Sequence, residues 1–148
     1  MSGNTLFARG VSLDNHRCNW GKINKAMLLI VDDNKQIRRM IRSLVEDLDS
    51  DIFECEDGME AVSACEQRQP DWVLMDVQMS PMDGLTATRK IKSFFPQTKI
   101  AIVTNHDDSK TRKAATDAGA SAFFNKDNLM WLRDLIGNKK VVQVKSKK

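Results

Sequence analysis

The chain has 148 residues, 41% of them hydrophobic and 29% charged, a length that buries one sizeable core and leaves no room for two ordinary domains. No apolar run approaches the roughly 20 residues of a membrane-spanning helix, and the start, MSGNTLFARGVSLDNHRCNWGK, lacks the apolar centre of a signal peptide. The net charge of +3 sits in the ends: residues 26–138 hold 14 Lys and Arg against 19 Asp and Glu, so the folding part is acidic and direct nucleic-acid binding is not expected.

In chain order, residues 1–25 read as a flexible N-terminal extension, residues 26–137 as one domain, and residues 138–148 as a solvated basic tail. MLLIV, residues 27–31, is a buried strand that stops on two acids, Asp32 and Asp33. Ile37, Met40, Ile41, Leu44, Val45 and Leu48 then recur at helical spacing and form a core-facing stripe. DIFECED is a second, short strand. Asp57 caps the helix that follows it, with Val62 and Cys65 facing inward. DWVLMD is a third strand, again ending on an acid, Asp76. Beyond the turn SPMDG, with Asp83 as a helix cap, a helix sets Leu85, Thr88, Ile91 and Phe95 on one side and closes at Pro96. KIAIVT is a fourth strand, ending on Thr104. DDSKTRKAATDAG is a helix stopped by Gly119, SAFFNK a fifth strand leading to Lys126, and NLMWLRDLI a final helix.

Strict alternation of nearly continuous apolar strands with helices implies an α/β fold, a doubly wound (βα)5 parallel sheet covered on both faces. Sites in such folds form outside the carboxyl ends of the strands, where Asp32, Asp33, Asp76, Thr104 and Lys126 converge. Three neighbouring carboxylates repel one another unless a cation joins them. Mg2+ suits oxygen ligands of this kind, and a lysine with a threonine hydroxyl supplies a cation and a donor for a phosphoryl group. An aspartate can itself accept phosphoryl covalently. Blander roles stand beside these: Asp32 as a helix cap, Thr104 as a strand-favouring residue, Phe123 as core with Phe124 competing for the inward position. The three cysteines lack metal-ligand spacing and fit reduced thiols in a cytoplasm. His16 and His106 are isolated, and Trp20, Trp72 and Trp131 form no stacking series for single-stranded nucleic acid.

VDDN, LMDVQMSPMDG, IVTNHDD and AGASAFFNKDN, in this order and at these separations, resemble the receiver domains of two-component response regulators. The resemblance implies a flavodoxin-like five-stranded sheet of order 2-1-3-4-5. It makes Asp76 the phosphoacceptor, Asp33 a direct Mg2+ ligand, Asp32 a ligand mainly through water, and the Gln78 backbone carbonyl a further ligand. Lys126 would pair with Asp76 and then with the phosphoryl oxygens. Thr104 would move to bond the phosphoryl group, with Phe123 as the aromatic that rotates inward. The implied partners are a sensor histidine kinase or phosphotransfer protein as donor and a downstream protein as target, with no membrane contact. Such a domain is not an enzyme beyond its own phosphorylation and dephosphorylation.

The sequence departs from the family pattern in places. Ser80 stands four residues after Asp76 where the family commonly has proline, which here is Pro81. Asn105 replaces a small residue and is expected to hinder small phosphodonors or water, while Gln78 and His106 flank the acceptor and tune its lifetime. Asp127 after Lys126 resembles receivers joined to helix-turn-helix DNA-binding domains. The residues after the last helix are too few for such a reader, so a stand-alone receiver is expected. The alternative is a receiver-fold interaction module that works without phosphorylation. A Mg2+-dependent phosphohydrolase shares the acidic cluster but shows no second base.

Overall fold

The computed structural model describes residues 26–48 and 50–137, so the expectations for the N-terminal extension and the basic tail lie outside the described residues. Strands β1 (Ala26–Val31), β2 (Ser50–Cys55), β3 (Trp72–Met75), β4 (Lys99–Thr104) and β5 (Ala122–Asn125) alternate with helices α1 (Lys35–Val45), α2 (Gly58–Arg68), α3 (Gly84–Phe94), α4 (Ser109–Ala118) and α5 (Leu132–Gly137). The strands form one parallel sheet of order 2-1-3-4-5, as the resemblance implies. No helix among the described residues is long and apolar enough to cross a membrane.

The period-two alternation of side chains divides each central strand between two cores. Leu29, Val31, Val73, Met75, Ile100 and Ile102 face one side, against Ala61 and Cys65 of α2, Ala87 and Ile91 of α3 and Ala115 of α4. Leu28, Ile30, Leu74, Ala101 and Val103 face the other, against Ile41 and Val45 of α1 and Leu132 and Ile136 of α5. Burial on both faces is why these strands read as apolar runs without polar interruption.

Local chemistry sets the helix ends. Asn34, Asp57, Asp83 and Asp108 each accept a backbone N–H of the first turn of α1, α2, α3 and α4. Gly119 ends α4 at φ 104°, a left-handed conformation that glycine adopts without a side-chain clash. Some expectations need correction. Met40 is 39% exposed, while Arg38 on the same helix is buried, so the core stripe of α1 is narrower than the apolar pattern. Leu48 falls in a short 3-10 turn after α1; Val62 and Cys65 both face the core, and Ala61 is fully buried beside them. Residues 128–131 precede α5, with Met130 and Trp131 exposed.

Candidate functional site

The carboxyl ends of β1 and β3 are adjacent in the sheet, and the Asp76 amide donates to the Val31 carbonyl at 3.0 Å. That pairing brings Asp76 beside Asp32 and Asp33. One carboxylate oxygen from each of the three residues lies within 4.8 Å of the other two. Asp32 and Asp76 are buried, 1% and 6% exposed, and Asp33 faces solvent. Thr104 ends β4 fully buried, and its hydroxyl accepts the His106 amide at 3.2 Å. Lys126 follows β5, its amide bonded to the Thr104 carbonyl at 3.0 Å. The five residues placed at strand ends by the sequence therefore do share one edge.

Lys126 was expected to pair with Asp76, yet its Nζ lies 2.7 Å from Asp32 Oδ2 and 3.4 Å from Asp76 Oδ1. It bridges the two buried acids and sits nearer the first. Burial draws the Lys126 ammonium down, but contact with Asp32 and the charges of Asp76 and Asp32 outweigh it and raise its pKa overall. The Asp76 pKa is raised as well: burial first, then the charge of Asp32, pushes it up to about 6 against the pull of Lys126.

Asp32 is not the helix cap; Asn34 is, its Oδ1 accepting from the amides of Gln36 and Ile37 at 2.8 and 3.2 Å. Asp32 Oδ1 accepts the Asn34 amide at 2.9 Å, and Asp32 Oδ2 is ion-paired with the Lys126 ammonium at 2.7 Å. The three carboxylates form an all-oxygen donor set, which fits a hard divalent cation better than a soft one.

Gln78, Asn105 and His106 are exposed around this edge. Gln78 and Ser80 line an open cleft of about 610 Å3 together with Asp33, Leu85 and Arg89, a feature the sequence did not show. The Ser80–Pro81 bond in this loop is cis. Phe123 is half-buried on the α2–α4 side of the sheet and Phe124 packs on the opposite side, which separates the two candidates for the switch position. The Arg112 guanidinium covers the Phe123 ring, its Cζ 4.6 Å from the centroid.

Comparison with known proteins bears on this geometry. The family described as Response regulator receiver domain matches residues 28–136. The chemotaxis protein CheY of Halobacterium salinarum is 34% identical over 99 residues, 67% of this chain and 82% of that protein. Probable histidine kinase 1 of Oryza sativa subsp. indica is 46% identical over 71 residues, 48% of this chain but 7% of the kinase. The chain also spans about half the length of the bacterial transcriptional regulatory proteins it matches. Among solved structures, a two-component response regulator of the LuxR family from an Aurantimonas species aligns with a TM-score of 0.67 and 31% identity, over 70% of this chain and 76% of that one.

Proposed function

The chain belongs to the response regulator receiver domain family, and from that premise we propose that residues 26–137 are a phosphoacceptor switch. In this reading Asp76 takes a phosphoryl group from a phosphohistidine of a sensor kinase or phosphotransfer protein, in the cytoplasm. The observation that carries it is the Asp32–Asp33–Asp76 cluster bridged by Lys126.

An Asp76 carboxylate oxygen attacks phosphorus in line, the P–N bond of the donor breaks, and the imidazole leaves and takes up a proton. Asp33, Asp32, Asp76 and the Gln78 carbonyl would hold Mg2+, whose chemistry when bound is to spread the charge on the phosphoryl oxygens. Lys126 already lies 3.4 Å from Asp76, where a new negative charge on Asp76 draws it from Asp32. Thr104, whose hydroxyl accepts the His106 amide, can move to donate its own hydroxyl proton to a phosphoryl oxygen. That movement biases which partner surface is populated. The product is a modified protein that binds a downstream protein target, so the domain turns over no separate substrate. A hydrolase of small phosphates would need a second free base beside the cleft. Asp83, the other acid lining it, is engaged at both oxygens by Thr86.

The test is intact mass after incubation with Mg2+ and either an acyl phosphate or a phosphorylated histidine kinase, on wild type and Asp76→Asn. One phosphoryl adduct, stable in acid, lost in alkali and absent from the variant, supports the switch. No adduct from either donor supports the alternative, an interaction module that acts without phosphorylation.

A further inference from the structure

Arg38 is the most deeply buried cation among the described residues, at 7% exposure, on a helix face where a charged residue is unfavourable unless fully paired. Its fork is divided between two tasks. Nε donates to Glu54 Oε1 on β2 at 2.9 Å, and Nη1 donates to the backbone carbonyl of Asp32 at 2.7 Å. Glu54 is held from its other oxygen by Arg42 Nη1 at 2.8 Å. The Arg38–Glu54–Arg42 triad therefore ties α1 to β2 and leaves one arm of Arg38 on the turn that carries the acidic cluster.

The consequence falls on Asp33. Its exposed carboxylate has no hydrogen bond among the described residues, so its direction depends on its backbone. The peptide before it, Asp32–Asp33, is pinned at the carbonyl by Arg38. The peptide after it, Asp33–Asn34, is pinned at the amide by Asp32 Oδ1. Upstream, the Asp32 amide is itself held by the Cys55 carbonyl at 3.2 Å. Both torsions of Asp33 are thus set by partners outside it, and one of those partners is Arg38.

We propose that Arg38 is a positioning residue for the cation site, its guanidinium pinning the Asp32–Asp33 peptide so that Asp33 presents its carboxylate beside Asp32 and Asp76 before any cation arrives. This rests on the Mg2+ reading of the cluster. Groups that orient metal ligands from behind typically change metal affinity by about 10–100-fold when removed. Arg42 provides the contrast, because it pairs with the same Glu54 and does not touch Asp32.

The experiment compares the full chain with Arg38→Ala, Arg38→Lys and Arg42→Ala, reading Mg2+ affinity by calorimetry and hydrogen exchange of the Asn34 amide without metal. Arg38→Ala is expected to weaken Mg2+ binding about tenfold or more and to speed Asn34 exchange by a similar factor. Arg38→Lys should recover part of the affinity, and Arg42→Ala should stay within about twofold of wild type on both readouts. A folded Arg38→Ala with wild-type affinity and wild-type exchange at Asn34 overturns the proposal and leaves Arg38 a tie between α1 and β2. If Arg38→Ala does not fold, Arg38→Lys decides: about threefold weaker binding or more supports positioning, and unchanged binding and exchange overturn it. If wild type binds no Mg2+, the functional reading fails, while Asn34 exchange still settles what Arg38 does to the turn.

Discussion

Gly84, the first residue of α3, packs directly on the backbone of Asp76: a β-carbon built there would collide with the Asp76 carbonyl oxygen and lie 2.9 Å from Met75 Cγ. The Gly84 amide also donates to the Val77 carbonyl at 2.8 Å, which draws the start of α3 against the acceptor loop. Neither side of this contact is the end of a flexible side chain, so a methyl group can be admitted only by moving backbone. Gly84→Ala is expected to lose about 3 kcal/mol in urea denaturation. Gly137→Ala, where the nearest atoms are Leu48 methyls at 3.5 and 3.7 Å, should change stability little. Equal losses at the two positions would mean that the acceptor loop yields easily.

The position of Lys126 predicts a reciprocal effect of metal. Without its ammonium, Asp32 and Asp76 are left as buried like charges, and breaking a buried pair costs about 3–5 kcal/mol. Lys126→Ala should therefore melt well below wild type in the presence of a chelator. The same loss makes the cluster more negative, so Mg2+ should bind more tightly and raise the melting temperature by more than in wild type. Thermal melts across a Mg2+ titration check both halves, and an unchanged Mg2+ affinity would show that Lys126 is not coupled to the cation site.

Asp76 gives a pH dependence of definite sign. Folding raises its carboxyl from 3.8 to about 6, so the native state holds this proton more tightly than the unfolded chain does. Its contribution to stability is complete below pH 3.8 and is lost as pH rises through about 6. Asp76→Asn removes the charge that neutral pH imposes, and it should stabilise the metal-free protein by up to about 3 kcal/mol near pH 7. The pull of Lys126 is already contained in that figure. Near pH 4 the gain should vanish, and denaturation curves of both proteins across this range decide the matter.

The fold was legible because two periodicities alternate along the chain, and parallel sheets collect their functional groups at strand ends. Asp32, Asp33, Asp76, Thr104 and Lys126 could be placed together on that ground alone. Burial of charge was not legible. Arg38 lies beside Ile37 in a helix whose apolar residues predict Met40 inside, and its partner Glu54 is sixteen residues away on β2. Nothing in a helical pattern announces that an arginine will displace a methionine from the core, because the reason is a carbonyl and a carboxylate contributed by other elements. The blander role for Asp32, a cap of α1, falls to Asn34 instead, because Asp32 is committed to Lys126 and to the Asn34 amide. The start of α5 was misread because Met130 and Trp131 are apolar yet exposed.

The cover over Phe123 predicts how readily the proposed switch operates. Arg112 stacks on the ring while its fork grips Asp107 at 2.5 and 3.1 Å, and Asn125 Nδ2 donates to the same carboxylate at 3.3 Å. Asp107 belongs to the loop that carries Thr104, so the resting loop, the ring and β5 are joined through one guanidinium. If Phe123 rotates inward as Thr104 moves, the stacking must be given up. A cation over an aromatic face at a partly exposed position is worth about 0.5–1 kcal/mol. Removing it should shift the resting equilibrium toward the active form by about two- to fivefold. Arg112→Ala is therefore expected to bind beryllofluoride, a phosphoryl mimic, two- to fivefold more tightly, about as much as that shift in population. Asp107→Asn keeps the stacking and loosens the grip, so its effect should have the same sign and be smaller. Wild-type affinity in Arg112→Ala would show that the Phe123 ring does not move when the site is filled.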